Sequence, residues 1–406
     1  MRILFITDNF PPEVNAPATR TYEHCLAWTK AGASVTIITC APNFPQGKVY
    51  DGYANKLYQT ETIDGIRVVR VWSYITANEG FIKRILDYIS FAFMAFLVGL
   101  FEKGDVIVAT SPQFFVAVTG YFLSIFKSKP WVFELRDLWP ESIRATSAMK
   151  NQTALDWLEK LELFLYRRAD LIIPVTDAFK VNLIERGIAA SKIQVVTNGA
   201  NLALFPAQPK NLDLLQKLGL TGKFVVGYIG THGLAHSLDF ITTAIANIQA
   251  SNLHFLFIGD GAEKKNIQEI AARLQLKNVT FLSSIPKEQI PAHLSIIDAS
   301  LVPLKKSDTF KTVIPSKIFE AASMQKPILL GVDGQARSII EAHRAGLYFE
   351  PENEADFIKQ LATLSTDHEL YANMQQGCHK LAQAYDREVL AAKMLTLLKE
   401  LVKHSN

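Results

Sequence analysis

Lys223-Phe-Val-Val-Gly-Tyr-Ile-Gly230 is an apolar run that closes on glycine. It reads as a buried strand that feeds a loop. The chain opens on the same device, Met1-Arg-Ile-Leu-Phe-Ile-Thr-Asp8. An apolar strand, a turn, a helix and another apolar strand form the repeating unit of a parallel sheet covered on both faces. Two such openings in one chain mark two doubly wound α/β domains. The length of 406 residues agrees, because a single core stops growing well below that size.

From the first opening the pattern continues through apolar strands at Ile3–Thr7, Ser34–Thr39, Ile66–Val71, Val106–Ala109, Trp131–Leu135, Leu171–Val175 and Ile193–Thr197. A helix over Thr19–Ala31 is closed by Gly32. From the second opening it continues through a helix near Ser237–Gln249 and strands at His254–Ile258, Val279–Leu282, Ala299–Pro303 and Pro327–Gly331. Asn198-Gly-Ala-Asn-Leu to about Gly222, with Pro206 and Pro209, reads as the junction. Arg387–Lys403 reads as one amphipathic helix.

Hydrophobic residues make up 49% and charged residues 20%, with a net charge of only +3. That balance fits a folded globular protein and excludes a global nucleic-acid footprint. The three cysteines, Cys25, Cys40 and Cys378, are far apart and odd in number. They give neither a disulfide framework nor metal-ligand spacing, which points to a reducing cytoplasm. The first residues lack the pattern of a signal peptide. Tyr88–Phe101 is the most apolar run, flanked by Lys83, Arg84, Glu102 and Lys103. It falls short of the roughly 18–20 residues that cross a bilayer. It reads either as a buried helix or as one whose second face meets a membrane surface.

In open parallel sheets ligands bind beyond the carboxyl ends of the strands, and two such sheets facing each other make a cleft. The candidates are therefore residues just after strands. After the first strand, Asn15 and Arg20 could meet an anion or an acceptor, with a rigid turn as the plain alternative. Glu134-Leu-Arg-Asp-Leu-Trp-Pro-Glu141 sets four charged residues around Trp139, directly after a buried strand. Arg136 is suited to bidentate contacts with an anion, and Asp137 or Glu141 to orienting a hydroxyl or taking its proton. A structural ion-pair network is the alternative. In the second half, Gly230 and Gly233 permit close backbone approach, and His232 or His236 could donate to a phosphate. Gly259-Asp260-Gly261 is a turn after a strand, and Ser283 ends the next. Neither the dinucleotide fingerprint nor the P-loop spacing is present.

The densest signal is Val313-Ile-Pro-Ser-Lys-Ile-Phe-Glu320, which runs on to Lys326-Pro-Ile-Leu-Leu330. It reads as a loop, a short helix, a turn and a buried strand. Ser316 is placed to cap the helix, Lys317 adds a charge at its start, and Lys311 precedes it. Glu320 lies one turn on, where a carboxylate beside a phosphate site finds its use in accepting ribose hydroxyls. A capped helix with a solvated glutamate is the bland alternative. There is no acidic metal clamp of the Asp-x-Asp kind and no cofactor motif.

These residues resemble a GT-B fold glycosyltransferase, with glycosyltransferase family 4 (group 1) as the nearest pattern over essentially the whole chain. Trp139-Pro-Glu-Ser142 and Pro315-Ser-Lys-Ile-Phe-Glu320 are similar to bacterial O-antigen and capsule enzymes that transfer N-acetyl-L-fucosamine. The resemblance implies a retaining, metal-independent and cofactor-free transfer from a nucleotide sugar, UDP-linked, in the cleft between two Rossmann-like domains. It implies an acceptor-binding domain over 1–200, onto which 387–406 packs back, and a nucleotide-sugar domain over 201–386. Glu320 matches the family's ribose-binding glutamate, while the family's other motif glutamate falls at Thr312. The family's glycine pair in the first loop is replaced by Asn15-Ala-Pro-Ala18. Its basic pair after the second domain's first strand is replaced by the region of Thr231, His232 and His236. Diphosphate binding then falls to Lys311, Ser316 and Lys317, with Gly230, Gly259, Asp260, Gly261 and Ser283 around the donor. Arg136, Asp137 and Glu141 would act on the acceptor, with Asn15, Arg20 and Trp139 beside it. The implied acceptor is an undecaprenyl-diphosphate-linked glycan at the cytoplasmic face of the inner membrane. A nucleotide-sugar epimerase of the same fold and a non-catalytic nucleotide-sugar binding protein remain open alternatives.

Overall fold

The computed structural model describes residues 1–44, 46–76, 81–138, 151–248 and 250–405. The chain divides into two compact units: Met1–Thr197 with Glu388–Asn406, and Asn198–Arg387.

Among the described residues the first unit holds β1 (Arg2–Ile6), β2 (Ser34–Cys40), β3 (Tyr58–Ile63), β4 (Ile66–Val71), β5 (Val106–Thr110), β6 (Trp131–Leu135) and β7 (Leu171–Pro174). They form one sheet in the order β3-β4-β2-β1-β5-β6-β7, parallel except for the β3–β4 pair. The strands are apolar in unbroken runs because both faces are covered. Leu4 and Ile6 of β1 enter one core with the helices Phe81–Gly99, Phe115–Lys127 and Gln152–Arg168. Ile3 and Phe5 point the other way, onto Trp28 of the Ala16–Lys30 helix and onto Leu390, Met394 and Leu398 of the Arg387–Ser405 helix. This is the period-2 alternation of a strand. Trp28 also donates its indole N–H to the Ala391 carbonyl at 2.8 Å.

The second unit holds β8 (Phe224–Ile229), β9 (Leu253–Ile258), β10 (Val279–Leu282), β11 (Ala299–Pro303), β12 (Ile328–Gly331) and β13 (Gly346–Tyr348). Their order is β10-β9-β8-β11-β12-β13, all parallel. The strand order reverses at β8, so the carboxyl ends of β8, β9 and β11 frame the switch point where such sheets bind ligands.

Three departures from the sequence reading have physical causes. Ile193–Thr197 is not a strand but a single bridge from Ile193 to Ile172. Pro174 at the end of β7 has no N–H with which to extend that pairing, and Arg20 takes the carbonyls of Val196 and Thr197 at 3.0 and 2.7 Å. The antiparallel β3 was not anticipated, although Asp64-Gly65, both with positive φ, supplies the tight hairpin turn. The first helix starts at Ala16 rather than Thr19, because Asn15 caps it by accepting the Ala18 N–H at 2.8 Å.

No helix among the described residues is long and apolar enough to cross a membrane. The Tyr88–Phe101 run lies largely within the Phe81–Gly99 helix. One face of that helix, carrying Phe91 and Ala95, is in the core.

Candidate functional site

In the second unit, β8 and β9 are each followed directly by a glycine: Gly230 has φ 144° and Gly259 φ 147°. A side chain at Gly259 would overlap the Gly230 carbonyl, and one at Gly261 would overlap the His232 carbonyl. Both positions need glycine because two backbones touch there. The loops are then sewn together: the His232 N–H donates to the Asp260 carbonyl at 2.8 Å, and the Glu263 N–H to the His232 carbonyl at 2.9 Å.

Asp260 is exposed, but its carboxylate has a task. It accepts the Ser284 N–H at 3.1 Å and pairs with Lys264 at 3.1 Å. Those bonds hold it below the usual carboxylate range. Lys264 also donates to the Gly259 and Leu282 carbonyls at 2.9 and 3.3 Å. It therefore locks the ends of β9 and β10 and sits 3.5 Å from the Ser283 hydroxyl. The sequence reading passed over Lys264. Its only signal was a cation one turn beyond Gly259-Asp260-Gly261.

The centre of the site is Lys317, the first residue of the Lys317–Ser323 helix. Its ammonium is buried without a hydrogen-bond partner. It lies 3.5 Å from the centre of the Tyr228 ring, a cation–π contact. The bare Gly230 makes room for it, since a Cβ there would lie 2.8 Å from Nζ. Burial pushes the Lys317 pKa down to about 7, with Glu320 only partly offsetting it. An unpaired cation facing a glycine loop at a sheet switch point is arranged for an anion that the protein does not itself supply.

Glu320 follows on the same helix and is half-buried. Burial raises its pKa, while Lys287, Lys317 and Arg387 draw it down. Ser316 differs from expectation. It is already in the α conformation and its side chain makes no capping bond. The tight Ile318 N–H to Pro315 carbonyl contact starts the turn instead. Its exposed hydroxyl is thus not committed to a cap. Lys311 is exposed and paired with Asp308 at 2.7 Å. Thr312, half-buried, turns its hydroxyl back to the Thr309 carbonyl at 3.1 Å.

His232 is not a surface histidine. It is fully buried, and neither ring nitrogen has a hydrogen-bond partner. Burial, then Lys264 and Lys317, push its pKa down to about 4, so the imidazole is neutral at neutral pH. His236 is lowered for similar reasons. Neither brings a positive charge of its own. His232 can offer a neutral N–H.

In the first unit, Arg136 reaches the carbonyls of Pro17 and Ala16 at 3.2 Å each. The backbone N–H groups of Arg136 and Asp137 both donate to the Ser111 hydroxyl, at 2.7 and 3.3 Å. Trp139 and Glu141 lie outside the described residues. Arg20 is a correction: it is 2% exposed and bonds Glu134 at 2.9 Å, so it is a tie inside the unit rather than an acceptor contact. Asn15 is likewise engaged, as the helix cap. Among the described residues, no group of three or more His, Cys, Asp or Glu is gathered as a metal-ligand set.

Comparison with known proteins adds the family. Residues 15–199 match the family described as "Glycosyl transferase 4-like domain". Residues 212–380 match "Glycosyl transferases group 1". A Bacillus subtilis protein named as a teichuronic acid biosynthesis glycosyltransferase, TuaH, is 27% identical over 230 residues, which is 56% of each chain. The chain thus aligns with little more than half of that relative's length. An Escherichia coli protein named as a colanic acid biosynthesis glycosyl transferase, WcaI, is 25% identical over 354 residues, 84% of each chain. The solved structure of Anabaena HepE with UDP-glucose shares the fold, with a TM-score of 0.69 at 18% identity over 98% of this chain and all of that one.

Proposed function

The chain belongs to the group 1 glycosyltransferases, and from that premise we propose that it moves a sugar from a UDP-linked donor to a lipid diphosphate-linked glycan. The transfer retains anomeric configuration, needs no metal, and serves assembly of a cell-surface polysaccharide such as an O-antigen or capsule. The proposed donor sugar is N-acetyl-L-fucosamine. The proposed place of work is the cytoplasmic face of the inner membrane. The names of the TuaH and WcaI relatives support the polysaccharide setting.

One observation carries the reading: the unpartnered Lys317 ammonium against Gly230. In the step proposed, the bond from the sugar's anomeric carbon to the donor's diphosphate oxygen breaks. The acceptor hydroxyl bonds that carbon on the same face, and its proton passes to the leaving diphosphate. Lys317, the neutral His232 N–H and, further out, Lys311 and the Ser316 hydroxyl hold the diphosphate as its charge grows. Charge stabilisation of this preorganised kind is usually the largest catalytic term. Ser283, Asp260 and Gly261 border the base, and Glu320 accepts the ribose hydroxyls. Arg136, Asp137 and Glu141 position the acceptor, with Trp139 beside it.

The test is a panel of UDP- and GDP-sugars with EDTA, with and without undecaprenyl-diphosphate-linked N-acetylglucosamine, read by mass spectrometry. Gain of one sugar on the lipid supports the proposal and names the donor. Isomerised donor without lipid product would replace it with an epimerase.

Glu320 gives a sharper check. Two hydroxyls bonded to one carboxylate are worth roughly 1.5–3 kcal/mol each. Glu320→Ala is expected to weaken UDP binding by at least about 100-fold on that basis. It should also abolish the preference of the parent protein for UDP over 2′-deoxy-UDP. Calorimetric titration with both nucleotides measures this, and an unchanged preference rules out the ribose role.

A further inference from the structure

The Phe81–Gly99 helix is apolar on the face it buries and also on the face it shows to solvent. Leu86, Ile89, Phe93 and Leu97 recur every three or four residues and are 38–59% exposed. Phe101, just beyond the helix, is 86% exposed. A helix at the surface of a water-soluble unit ordinarily turns a polar stripe outward.

The stripe does not stop at this helix. Gly99 lets the Phe115–Lys127 helix come close, since a Cβ there would lie 2.6 Å from Leu123. That neighbour exposes Phe122, Ile125 and Phe126 by 45, 52 and 66%. Phe96 bridges the two helices by ring contacts to Phe122 and Phe126 at 6.2 and 5.6 Å. Tyr121 continues the chain of rings to Phe164 of the Gln152–Arg168 helix at 5.2 Å. That third helix exposes Trp157 by 61%. Three helices of one unit thus present a continuous aromatic and aliphatic face, which in a monomeric soluble protein marks an interaction surface.

Its charges name the partner. Lys83 and Arg84 stand exposed at one end of the first helix and Lys103 past the other. Arg167 and Arg168 are exposed at the end of the third, where Arg168 lies over the Phe164 ring at 5.4 Å. Most acids nearby are neutralised from within the unit. Glu102 pairs with Arg67 at 3.0 Å, and Glu159 and Glu162 with Arg186 at 3.4 and 2.6 Å. A cationic rim around exposed phenylalanines complements an anionic lipid surface. It would be set against itself if two copies paired through this face.

We propose that the outer faces of the Phe81–Gly99, Phe115–Lys127 and Gln152–Arg168 helices form one docking surface for an anionic bilayer. Phe93, Phe101, Phe122, Phe126 and Trp157 enter the interface, and the basic rim meets the headgroups. This deepens the reading of a lipid-linked acceptor and rests on it for its purpose, because such an acceptor never leaves the membrane plane.

The test uses the full chain without substrate. In flotation, the parent protein is expected to rise with vesicles of phosphatidylcholine and phosphatidylglycerol and to stay down with phosphatidylcholine alone. The double variant F93S/F126S should lose at least about tenfold in binding, and R167E/R168E should lose binding and its salt dependence. Tryptophan emission should shift to the blue on the anionic vesicles in the parent and not in W157F. UDP binding, measured separately, should be unchanged in every variant, which shows that each is folded. No flotation of the parent protein, or equal flotation of F93S/F126S, would overturn the surface. So would a dimer in light scattering that the same double variant dissolves. Those outcomes leave sugar transfer untouched, whereas failure of all donors to turn over would strike the transfer reading alone.

Discussion

Lys317→Met is expected to lower kcat/KM for sugar transfer by about 100- to 1,000-fold, the range found when one preorganised charge-stabilising group is removed. It should do so without destabilising the protein. The ammonium is buried, unpartnered and held against Tyr228, so folding strands it in an apolar setting. Methionine has a similar length and no charge to strand. Thermal unfolding should therefore give a variant at least as stable as its parent. A loss of activity with a loss of stability would make Lys317 a structural residue instead.

The same arrangement couples donor binding to protons. In the free protein Lys317 is pushed down to about 7, so it is largely neutral above that pH. A diphosphate beside it favours the charged form and draws a proton from solution. A UDP-sugar does not itself titrate near neutrality. His232, pushed down to about 4, and His236, also lowered, stay neutral at about pH 8.5. The proton counted there belongs to Lys317. Titration calorimetry in buffers of different ionisation enthalpy should give an uptake approaching one proton per donor at about pH 8.5 and near none at about pH 6. Lys317→Met should give none at either, and donor affinity in the parent should fall as pH rises above about 7. For stability the sign is opposite. The folded pKa lies below the unfolded one, so the folded state carries the full penalty below about 7 and sheds it as pH rises towards the ordinary lysine value. The stabilising effect of the substitution should thus be greatest on the acid side.

Much of this was visible in the chain because it rests on local pattern. Apolar runs at Lys223–Gly230 and Met1–Asp8 had no reading other than buried parallel strands, and β4, β6, β10 and β11 fall where the runs are. Glycines 230, 259 and 261 stood after strands, and a glycine in that place announces close backbone approach. The reach of Lys317 was not legible. That it crosses to Tyr228 on β8 is set by packing of the Lys317–Ser323 helix, which no spacing rule encodes. Lys264 was missed for a related reason: its partners are carbonyls of two strand ends, and carbonyls carry no sequence signature. β3 was missed although Asp64-Gly65 signalled it, because its own residues, Tyr58–Ile63, are mostly polar at the sheet edge. Arg20 reads in the sequence as a contact to an anion or an acceptor, because its partner Glu134 lies 114 residues away and no local pattern links the two. In the fold Arg20 is buried on the inner side of the Ala16–Lys30 helix, against Glu134.

That inward pair yields the other large effect expected. Arg20 and Glu134 are 2% and 1% exposed, and the guanidinium bonds the carboxylate at 2.9 Å. It also bonds the carbonyls of Thr197 and Val196 at 2.7 and 3.0 Å. Burial raises the Glu134 pKa, but Arg20, Arg136 and a Thr110 hydroxyl together hold the carboxyl below its usual range. Arg20→Ala removes the main counter-charge and leaves the carboxylate buried. Breaking a buried pair from one side costs roughly 3–5 kcal/mol, far more than the pair contributes by existing. Denaturant unfolding should show a loss of that size in Arg20→Ala, and at least half of it should return in the double variant R20M/E134L. If the double variant is no better than the single one, the energy lies in the carbonyl bonds and not in the ion pair. Acid separates the two cases again. In the parent, stability from Glu134 is present above the unfolded carboxylate pKa and fades as pH falls through its lowered folded value. In Arg20→Ala the folded pKa is raised, so the penalty is relieved once pH falls through that raised value. The gap between parent and variant should therefore narrow as pH drops towards about 4. A gap that stays constant down to that pH would place the loss in the bonds from Arg20 to β7's neighbouring segment, Val196 and Thr197.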